Sequence, residues 1–151
     1  MDLQWTPHVT VAAVIEHDQR FLLVEEDVEG LICYNQPAGH WEYGETLIEA
    51  VIRETLEESA FHFQPENLLG IYQWNHPQKT QLSYLRFAFT GQIIGKDKDR
   101  VLDQGILRTV WLDENDVRNK QAHFRSPQVM QCIQDYLKGL RYPLDLISAL
   151  K

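Results

Sequence analysis

Three glutamates lie close together in one segment of the sequence: Glu54, Glu57 and Glu58. The segment begins at Thr46 and contains neither Gly nor Pro for about 14 residues, and Thr46 and Glu49 have the spacing of a capping box, so we predict an α-helix there. At about 100° per residue, the three carboxylates share an arc of roughly 100° on that helix. Carboxylate oxygens at positions i, i+3 and i+4 suit Mg²⁺ or Mn²⁺. The same pattern is also common on solvated helix surfaces, so by itself it leaves both interpretations open.

The charge balance bears on which ligands the protein can bind. The chain has 22 acidic and 14 basic residues, a formal charge of -8, and a pI near 5.1. This sign is wrong for holding duplex nucleic acid by charge alone. If the substrate is a phosphate ester, a divalent metal ion has to supply the attraction.

Length and composition indicate an ordinary globular protein. The chain has 151 residues, of which 44% are hydrophobic and 24% charged, and we expect one domain over residues 1–151. The apolar run at residues 9–15 is too short and too interrupted for a membrane span or a signal peptide, which predicts a cytoplasmic protein without membrane contact. Cys33 and Cys132 have no metal-ligand spacing and are expected to be reduced. The sequence leaves a monomer and a homodimer as alternatives.

Strands and helices must together position the acidic helix. Runs of β-branched and apolar residues predict strands at residues 9–16, 21–25, 68–74, 82–90 and 107–112. The first two strands are predicted to form a hairpin. The segment 34–45 contains Pro and two glycines and predicts an ordered loop. Ser126 and Pro127 begin a last helix that runs to Gly139 and covers one face of the sheet. We therefore predict an α/β fold with a sheet between helices.

The spacing of residues around the acidic helix resembles the signature of the Nudix hydrolases. The residues that match are Gly39, Glu45, Arg53, Glu54, Glu57 and Glu58. Further matches resemble the NudJ phosphatase subgroup over residues 7–147, in the segments 7–12, 35–40, 73–74, 85–87, 125–127 and 141–144. The resemblance implies the Nudix fold, an α/β/α sandwich with a mixed β-sheet between helices. Ala60 departs from the family pattern, which has Gly there, so we expect either a right-handed helix exit or strain of roughly 1 kcal/mol.

The resemblance also implies an activity. Members of the subgroup are Mg²⁺-dependent phosphatases that release orthophosphate from nucleoside di- and triphosphates, and from hydroxymethylpyrimidine pyrophosphate or thiamine pyrophosphate. Mn²⁺ is expected to substitute for Mg²⁺. Two alternatives stay open: a Nudix pyrophosphohydrolase acting on nucleoside triphosphates or nucleoside diphosphate sugars, and a non-catalytic Nudix sensor that binds a nucleotide.

By the same resemblance, the motif residues receive roles. Glu54, Glu57 and Glu58 are implied metal ligands, with one of them as the alternative candidate for the base that accepts a proton from the attacking water. Arg53 lies one turn before Glu57 and is expected to hold that carboxylate in one rotamer, which places it among the catalytic residues. Gly39 is expected to offer its backbone carbonyl to the metal and to leave room for a phosphate.

Five further residues are candidates for binding the substrate: Gln36, Tyr72, Trp74, Lys79 and Arg86. Lys79 and Arg86 would clamp a phosphate, with plain solvent exposure as the alternative for Arg86. Tyr72 and Trp74 would stack on a heterocycle, with burial in the core as the alternative.

The remaining acidic and histidine residues near the motif have less defined roles. Glu45 precedes the helix and is expected to give structural support, by accepting helix N–H groups or pairing with an arginine of the helix. His40 is expected to pack in its loop, with proton transfer as the alternative. Asp97, Asp99 and Asp103 are candidates for a fourth acidic position on a later loop, and the sequence does not choose among them.

Overall fold

The structure, a computed structural model, describes residues 4–150. The strands within this range are β1 (His8–Val14), β2 (Glu16–His17), β3 (Arg20–Val28), β4 (Leu31–Asn35), β5 (Ala38–His40), β6 (Phe61–Asn75), β7 (Ser83–Lys96) and β8 (Ile106–Leu112). The helices are α1 (Leu47–Ser59), α2 (Glu114–Lys120) and α3 (Pro127–Leu137), with 3₁₀ turns at Gln121–His123 and Leu144–Leu146. Over the described residues, none of the helices has the length and apolar character needed to cross a bilayer.

The strands form two four-stranded sheets. The first has the order β5-β1-β7-β6 and is mixed, because β1 runs parallel to β7 while the other neighbours are antiparallel. The second is antiparallel and is built around β3, which pairs with β2, β4 and β8. Helices α1 and α3 pack on opposite faces of the first sheet. This arrangement confirms the predicted α/β fold with a mixed sheet between helices, and it adds the second sheet.

Strand β1 explains how one sheet supports both helices. Its side chains alternate between two cores: Val11 and Ala13 lie in the core that includes α1, whereas Ala12 and Val14 lie in the core that includes α3. All four are essentially inaccessible to solvent. A strand that is buried on both faces reads as a continuous apolar run, which is how this segment appears in the sequence.

The predicted hairpin at the start of the chain is confirmed at its turn, where Glu16 pairs with Phe21 and the Leu22 N–H donates to the Ile15 carbonyl, but it does not extend along β1. Strands β1 and β3 lie in different sheets, and only the short β2 pairs with the beginning of β3, at Glu16 with Phe21 and His17 with Arg20. The reason is burial: residues 21–24 of β3 are as fully buried as β1, so each strand needs a sheet with neighbours on both sides.

Other element boundaries also differ from the prediction. The segment expected to be a loop at 34–45 contains the end of β4 and all of β5, because Ala38 and His40 pair with β1. Strands β6 and β7 are longer than predicted and form a two-stranded ribbon with register shifts, one of them between Pro65 and Asn67. Helix α2 was not predicted. These pairings join residues far apart in sequence, which local patterns do not report.

The ends of α1 follow from its flanking residues. The Thr46 Oγ accepts a hydrogen bond from the Glu49 N–H at 3.0 Å, and the Glu49 carboxylate accepts one from the Thr46 N–H at 2.8 Å, which confirms the predicted capping box. At the other end, Ala60 has a left-handed backbone with φ of 66°, so the strained helix exit is the alternative that occurs. Strand β6 begins at the next residue, Phe61.

Loss of the N-cap should destabilise the helix that carries the glutamates. We expect Thr46→Ala to lower the free energy of unfolding by about 1 kcal/mol, because the Glu49 N–H then loses its protein acceptor. Chemical denaturation measures this change. Thr46→Ser keeps the hydroxyl and serves as the matched control, with a change of only a few tenths of a kcal/mol. Equal losses in the two variants would show that the hydroxyl is not responsible.

Candidate active site

Arg53 lies at the centre of the acidic motif. Its guanidinium donates two hydrogen bonds to the Glu45 carboxylate, at 2.7 and 3.0 Å, and its Nη1 donates to Glu54 at 2.8 Å and to Glu57 at 3.2 Å. Nη2 also donates to the backbone carbonyl of His40 at 3.0 Å. These partners hold the pKa of Arg53 above its usual value, so the group stays cationic. One side chain thus fixes two carboxylates of α1 relative to the loop before it.

Three carboxylates converge at one point beside this arginine. Oxygens of Glu54, Glu57 and Asp103 lie within 4.8 Å of one another. Glu54 is buried, Glu57 is partly buried and Asp103 is exposed, so the cluster opens to solvent on one side. Hard oxygen ligands in a group of this size fit Mg²⁺ or Mn²⁺, which retain water or phosphate oxygens in their remaining positions.

The loop contacts explain why Asp103, rather than the other two aspartates, joins the cluster. The Asp103 N–H donates to the Glu57 carbonyl at 3.0 Å, which ties this loop to the last turn of α1. Asp97 instead contacts the His62 ring at 2.6 Å. Asp99 is exposed in the same loop. The choice depends on a contact between residues 46 positions apart, so the sequence contained no local signal for it.

Glu58 occupies a different position from the cluster of three. Its Oε1 accepts a hydrogen bond from the Ala38 N–H of β5 at 2.9 Å. Burial raises the pKa of Glu58 to about 9 and the pKa of Glu54 to about 7, and the neighbouring acidic groups Glu57 and Asp103 contribute in the same direction for Glu54. In the absence of a cation, the site therefore disfavours full ionisation of its carboxyls, which is the electrostatic condition that a bound divalent metal ion relieves.

Gly39 and His40 border the cluster on strand β5. A methyl group at Gly39 would overlap the Glu54 carboxylate, so only glycine leaves that carboxylate where it is. The Nε2 of His40 lies 2.9 Å from the Nδ1 of His8, and burial together with that neighbour lowers the pKa of His40. His40 is exposed and also lines the cavity described below, so its packing role stays a prediction.

A cavity of about 450 Å³ adjoins the carboxylates. The first sheet forms one wall, and β3, the end of β4 and the start of α3 form another. Residues in its lining include Thr10, Glu26, Asn35, Gly39, Glu54, Glu58, Trp74, Lys79, Tyr84, Arg86, Arg125 and Gln128. The carboxylates of α1 are therefore open to a space large enough for a small-molecule ligand.

Three of the five predicted substrate-binding residues line this cavity: Trp74, Lys79 and Arg86. Lys79 is exposed at its edge, and the ring of Trp74 stacks against Tyr84 with centroids 5.9 Å apart. Arg86 is only 4% exposed, so the alternative of plain solvent exposure is wrong. It lies on the inner strand β7, between Thr10 of β1 and Tyr72 of β6.

Gln36 and Tyr72 are not among the residues that line the cavity. Gln36 is 1% exposed and its amide bridges Arg86, from which it accepts a hydrogen bond at 2.7 Å, and the Val129 carbonyl, to which it donates one at 3.0 Å. The Tyr72 hydroxyl donates to Asp135 of α3 at 2.8 Å, and its ring packs on the core. Gln36 therefore orients Arg86 without lining the cavity itself. Tyr72 packs on the core, which was the alternative to stacking on a heterocycle.

The sequence analysis missed several residues of the cavity wall: Thr10, Glu26, Tyr84, Arg125 and Gln128. Tyr84 shares a strand face with Arg86, so the alternation of that strand contained a usable signal. Gln128 follows the predicted helix start, but nothing local indicates that its side chain reaches the cavity. Glu26 and Arg125 contact each other at 3.4 Å across 99 positions of sequence.

Known proteins of one family match this chain over most of its length. The NUDIX domain model matches residues 6–132. Phosphatase NudJ of Shigella boydii is 40% identical over 142 residues, which cover 94% of this chain and 91% of the relative, and Phosphatase NudJ of Escherichia coli is 39% identical with the same coverage. The resemblance drawn from the sequence is thereby confirmed.

Solved structures show the same fold. A NUDIX hydrolase from Nitrosomonas europaea has a TM-score of 0.92 and 52% identity, covering 96% of this chain and 98% of that one. A structure of UDP-X diphosphatase, at 22% identity, has a TM-score of 0.73 and covers 94% of this chain and 68% of that one, which extends the likeness of fold. The chain therefore belongs to the Nudix hydrolases, enzymes that act on phosphate anhydrides.

Proposed function

We propose that this protein is a Mg²⁺-dependent phosphatase, with Mn²⁺ as a substitute, acting in the cytoplasm as a monomer or homodimer. Its proposed reaction is release of orthophosphate from nucleoside di- and triphosphates, and from hydroxymethylpyrimidine pyrophosphate or thiamine pyrophosphate. The observation that carries the proposal is the convergence of Glu54, Glu57 and Asp103 beside a cavity. The similarity to NudJ phosphatases over 94% of the chain supports the phosphatase reaction.

The separation between the aromatic residues and the carboxylates that line the cavity supports a substrate with a heterocycle at one end and phosphates at the other. Trp74 lies on β6, whereas Ala38, which contacts Glu58, lies on β5 at the opposite edge of the first sheet. Three strand spacings separate these edges, a distance of about 14 Å. We propose that phosphates bind near the carboxylates and that the heterocycle binds near the aromatic pair of Trp74 and Tyr84.

Arg86 lies between these two ends. Its guanidinium is held by two amide oxygens, of Gln36 at 2.7 Å and Asn35 at 3.0 Å, and within residues 4–150 no carboxylate forms an ion pair with it. A buried cation that is oriented by neutral groups retains its charge for a ligand. We propose that Arg86 attracts the phosphate chain, and that the exposed Lys79 assists at the edge of the cavity.

The proposed mechanism assigns each acidic residue a task. Glu54, Glu57 and Asp103 would hold Mg²⁺, which when bound neutralises phosphate oxygens and makes water more acidic. Arg53 orients two of these carboxylates, and Glu45 in turn orients Arg53 through both of its oxygens. Glu58 lies outside the cluster, and its Oε1 is engaged by Ala38; once a bound cation favours its ionised form, Oε2 would accept a proton from the attacking water.

An orthophosphate-release screen tests the proposed function. The protein is assayed on nucleoside di- and triphosphates, thiamine pyrophosphate and hydroxymethylpyrimidine pyrophosphate, with Mg²⁺, with Mn²⁺ and with EDTA. We expect orthophosphate as the first product and complete loss of turnover with EDTA. Pyrophosphate, or a nucleoside monophosphate with a sugar phosphate from nucleoside diphosphate sugars, would instead identify a pyrophosphohydrolase. Binding without any turnover would identify a sensor.

Removing one carboxylate of the cluster should weaken metal binding and leave the protein folded. We expect Glu57→Gln and Asp103→Asn each to lower turnover at least about 100-fold, because loss of a metal ligand should cost at least as much as loss of a residue that supports one. Steady-state kinetics and Mn²⁺ titration measure both effects. Asp99→Asn, in the same loop, is the matched control and should behave as wild type. Near wild-type turnover in either cluster variant would refute the assignment.

The raised carboxyl pKa values predict how pH affects the metal-free protein. Burial raises the pKa of Glu58 from 4.5 to about 9, so the folded state binds more protons than the unfolded state across this range. The contribution of this group to stability is therefore present below pH 4.5 and is lost as the pH rises to about 9. Melting temperatures in EDTA are expected to show Glu58→Gln gaining stability over wild type as the pH rises. A difference in melting temperature between Glu58→Gln and wild type that stays constant with pH would contradict this prediction.

A further inference from the structure

Gln128 has a side-chain amide whose orientation is set by the backbone of two strands. Its Nε2 donates to the carbonyl of Tyr72 at 3.0 Å and to the carbonyl of Tyr84 at 3.4 Å. Backbone carbonyls only accept hydrogen bonds, so the nitrogen of the amide has to face them. The side-chain oxygen, Oε1, therefore points away from these strands. Since Gln128 is one of the residues that line the cavity, we take this oxygen to be the part of the side chain that faces it.

The Gln128 oxygen is available to a ligand. Gln128 is only 5% exposed, yet its hydrogen bonds within residues 4–150 are made by its backbone N–H and by Nε2, and none is accepted by Oε1. This oxygen is also not sealed inside the protein, because the one buried side-chain polar atom found without a partner in that range is the Nε of Arg86. A nearly buried acceptor without a donor is costly, and native sites normally supply a partner.

The neighbours of Gln128 indicate which part of a substrate would meet it. Trp74 pairs with Tyr84 across β6 and β7, and the next pair on the same face is Tyr72 with Arg86. By bonding to the carbonyls of Tyr72 and Tyr84, Gln128 bridges these two positions. A ring bound at the aromatic pair would thus present its edge to Oε1, while the guanidinium of Arg86 bonds to Asn35 and Gln36, in the segment that leads into β5.

We infer that Gln128 determines specificity by accepting a hydrogen bond from an amino group on the heterocycle of the substrate. The inference rests on the proposed function and names the class of substrate within it. An amino group complements Oε1, whereas a ring carbonyl at the same position would bring two acceptors together and leave both unpaired. Amino-bearing bases are therefore favoured over the carbonyl-bearing bases of similar size and shape.

Paired nucleotides that differ at this group test the inference. The pairs are cytidine and uridine diphosphate, and adenosine and inosine diphosphate, each assayed for kcat/KM of orthophosphate release. We expect wild type to favour the amino member by about tenfold in at least one pair, the size of one well-placed hydrogen bond. Gln128→Met keeps the length of the side chain without the acceptor and should bring that ratio close to one.

Gln131→Met is the matched control, since Gln131 lies on the exposed side of the same helix and donates to Asp135. It should leave the ratio as in wild type. Circular dichroism reports whether each variant is folded. If Gln128→Met does not fold, wild type alone still decides the matter by calorimetry in EDTA, with cytidine against uridine monophosphate and adenosine against inosine monophosphate. Tighter binding of the amino member is then expected.

The outcomes separate the inference from the proposed function. Three results would overturn the role of Gln128 and leave the phosphatase proposal standing. They are turnover with equal kcat/KM for both members of both pairs, equal affinities in calorimetry, and a preference that survives in folded Gln128→Met. Absence of orthophosphate release from every substrate in the screen would overturn the proposed function, and with it the inference.

Discussion

The site depends on one guanidinium that holds like-charged groups close together. Arg53 contacts the carboxylates of Glu45, Glu54 and Glu57 and the carbonyl of His40, so it links the loop before α1 with the helix itself. Two carboxylates at about 5 Å repel each other by about 3 kcal/mol at an effective dielectric constant near 20, before screening by solvent. The Arg53 guanidinium offsets part of that repulsion. The repulsion that remains makes the binding of a divalent metal ion favourable. The geometry of the acidic cluster follows from this balance.

The first sheet determines how the rest of the cavity is arranged around that cluster. Because β7 lies between β1 and β6, Arg86 is one strand from Trp74 on β6 and two strands from β5, the strand that the Glu58 carboxylate of α1 contacts. Its guanidinium is held by Gln36 and Asn35, and the amide of Gln128 is held by two strand carbonyls. Polar groups in the wall are thus oriented before any ligand arrives, and preorganised groups lose less entropy on binding.

The predictions that succeeded rest on local features. The helix, its capping box and the positions of the three glutamates depend on residues within about one turn of each other, and spacing reports such relations directly. Helix α2 was missed although Asp113 and Asp116 form a local capping box, whereas the unpredicted features of the site depend on distant pairs. Asp103 joins the cluster through a bond to the backbone of α1, Tyr72 is turned to the core by α3, and Gln36 is buried by the chain segment that contains Val129. None of these partners can be identified before the topology is known.

The junction after α1 constrains how the chain can change in length. Ala60 alone connects the helix to β6, and its left-handed backbone makes the turn without any loop. Side chains of a strand alternate between its faces, so one added residue there would exchange the inner and outer sides of the following strand segment. Insertions and deletions among relatives should therefore be found in the turn at 76–82, which lies outside the regular elements, and be absent at this junction.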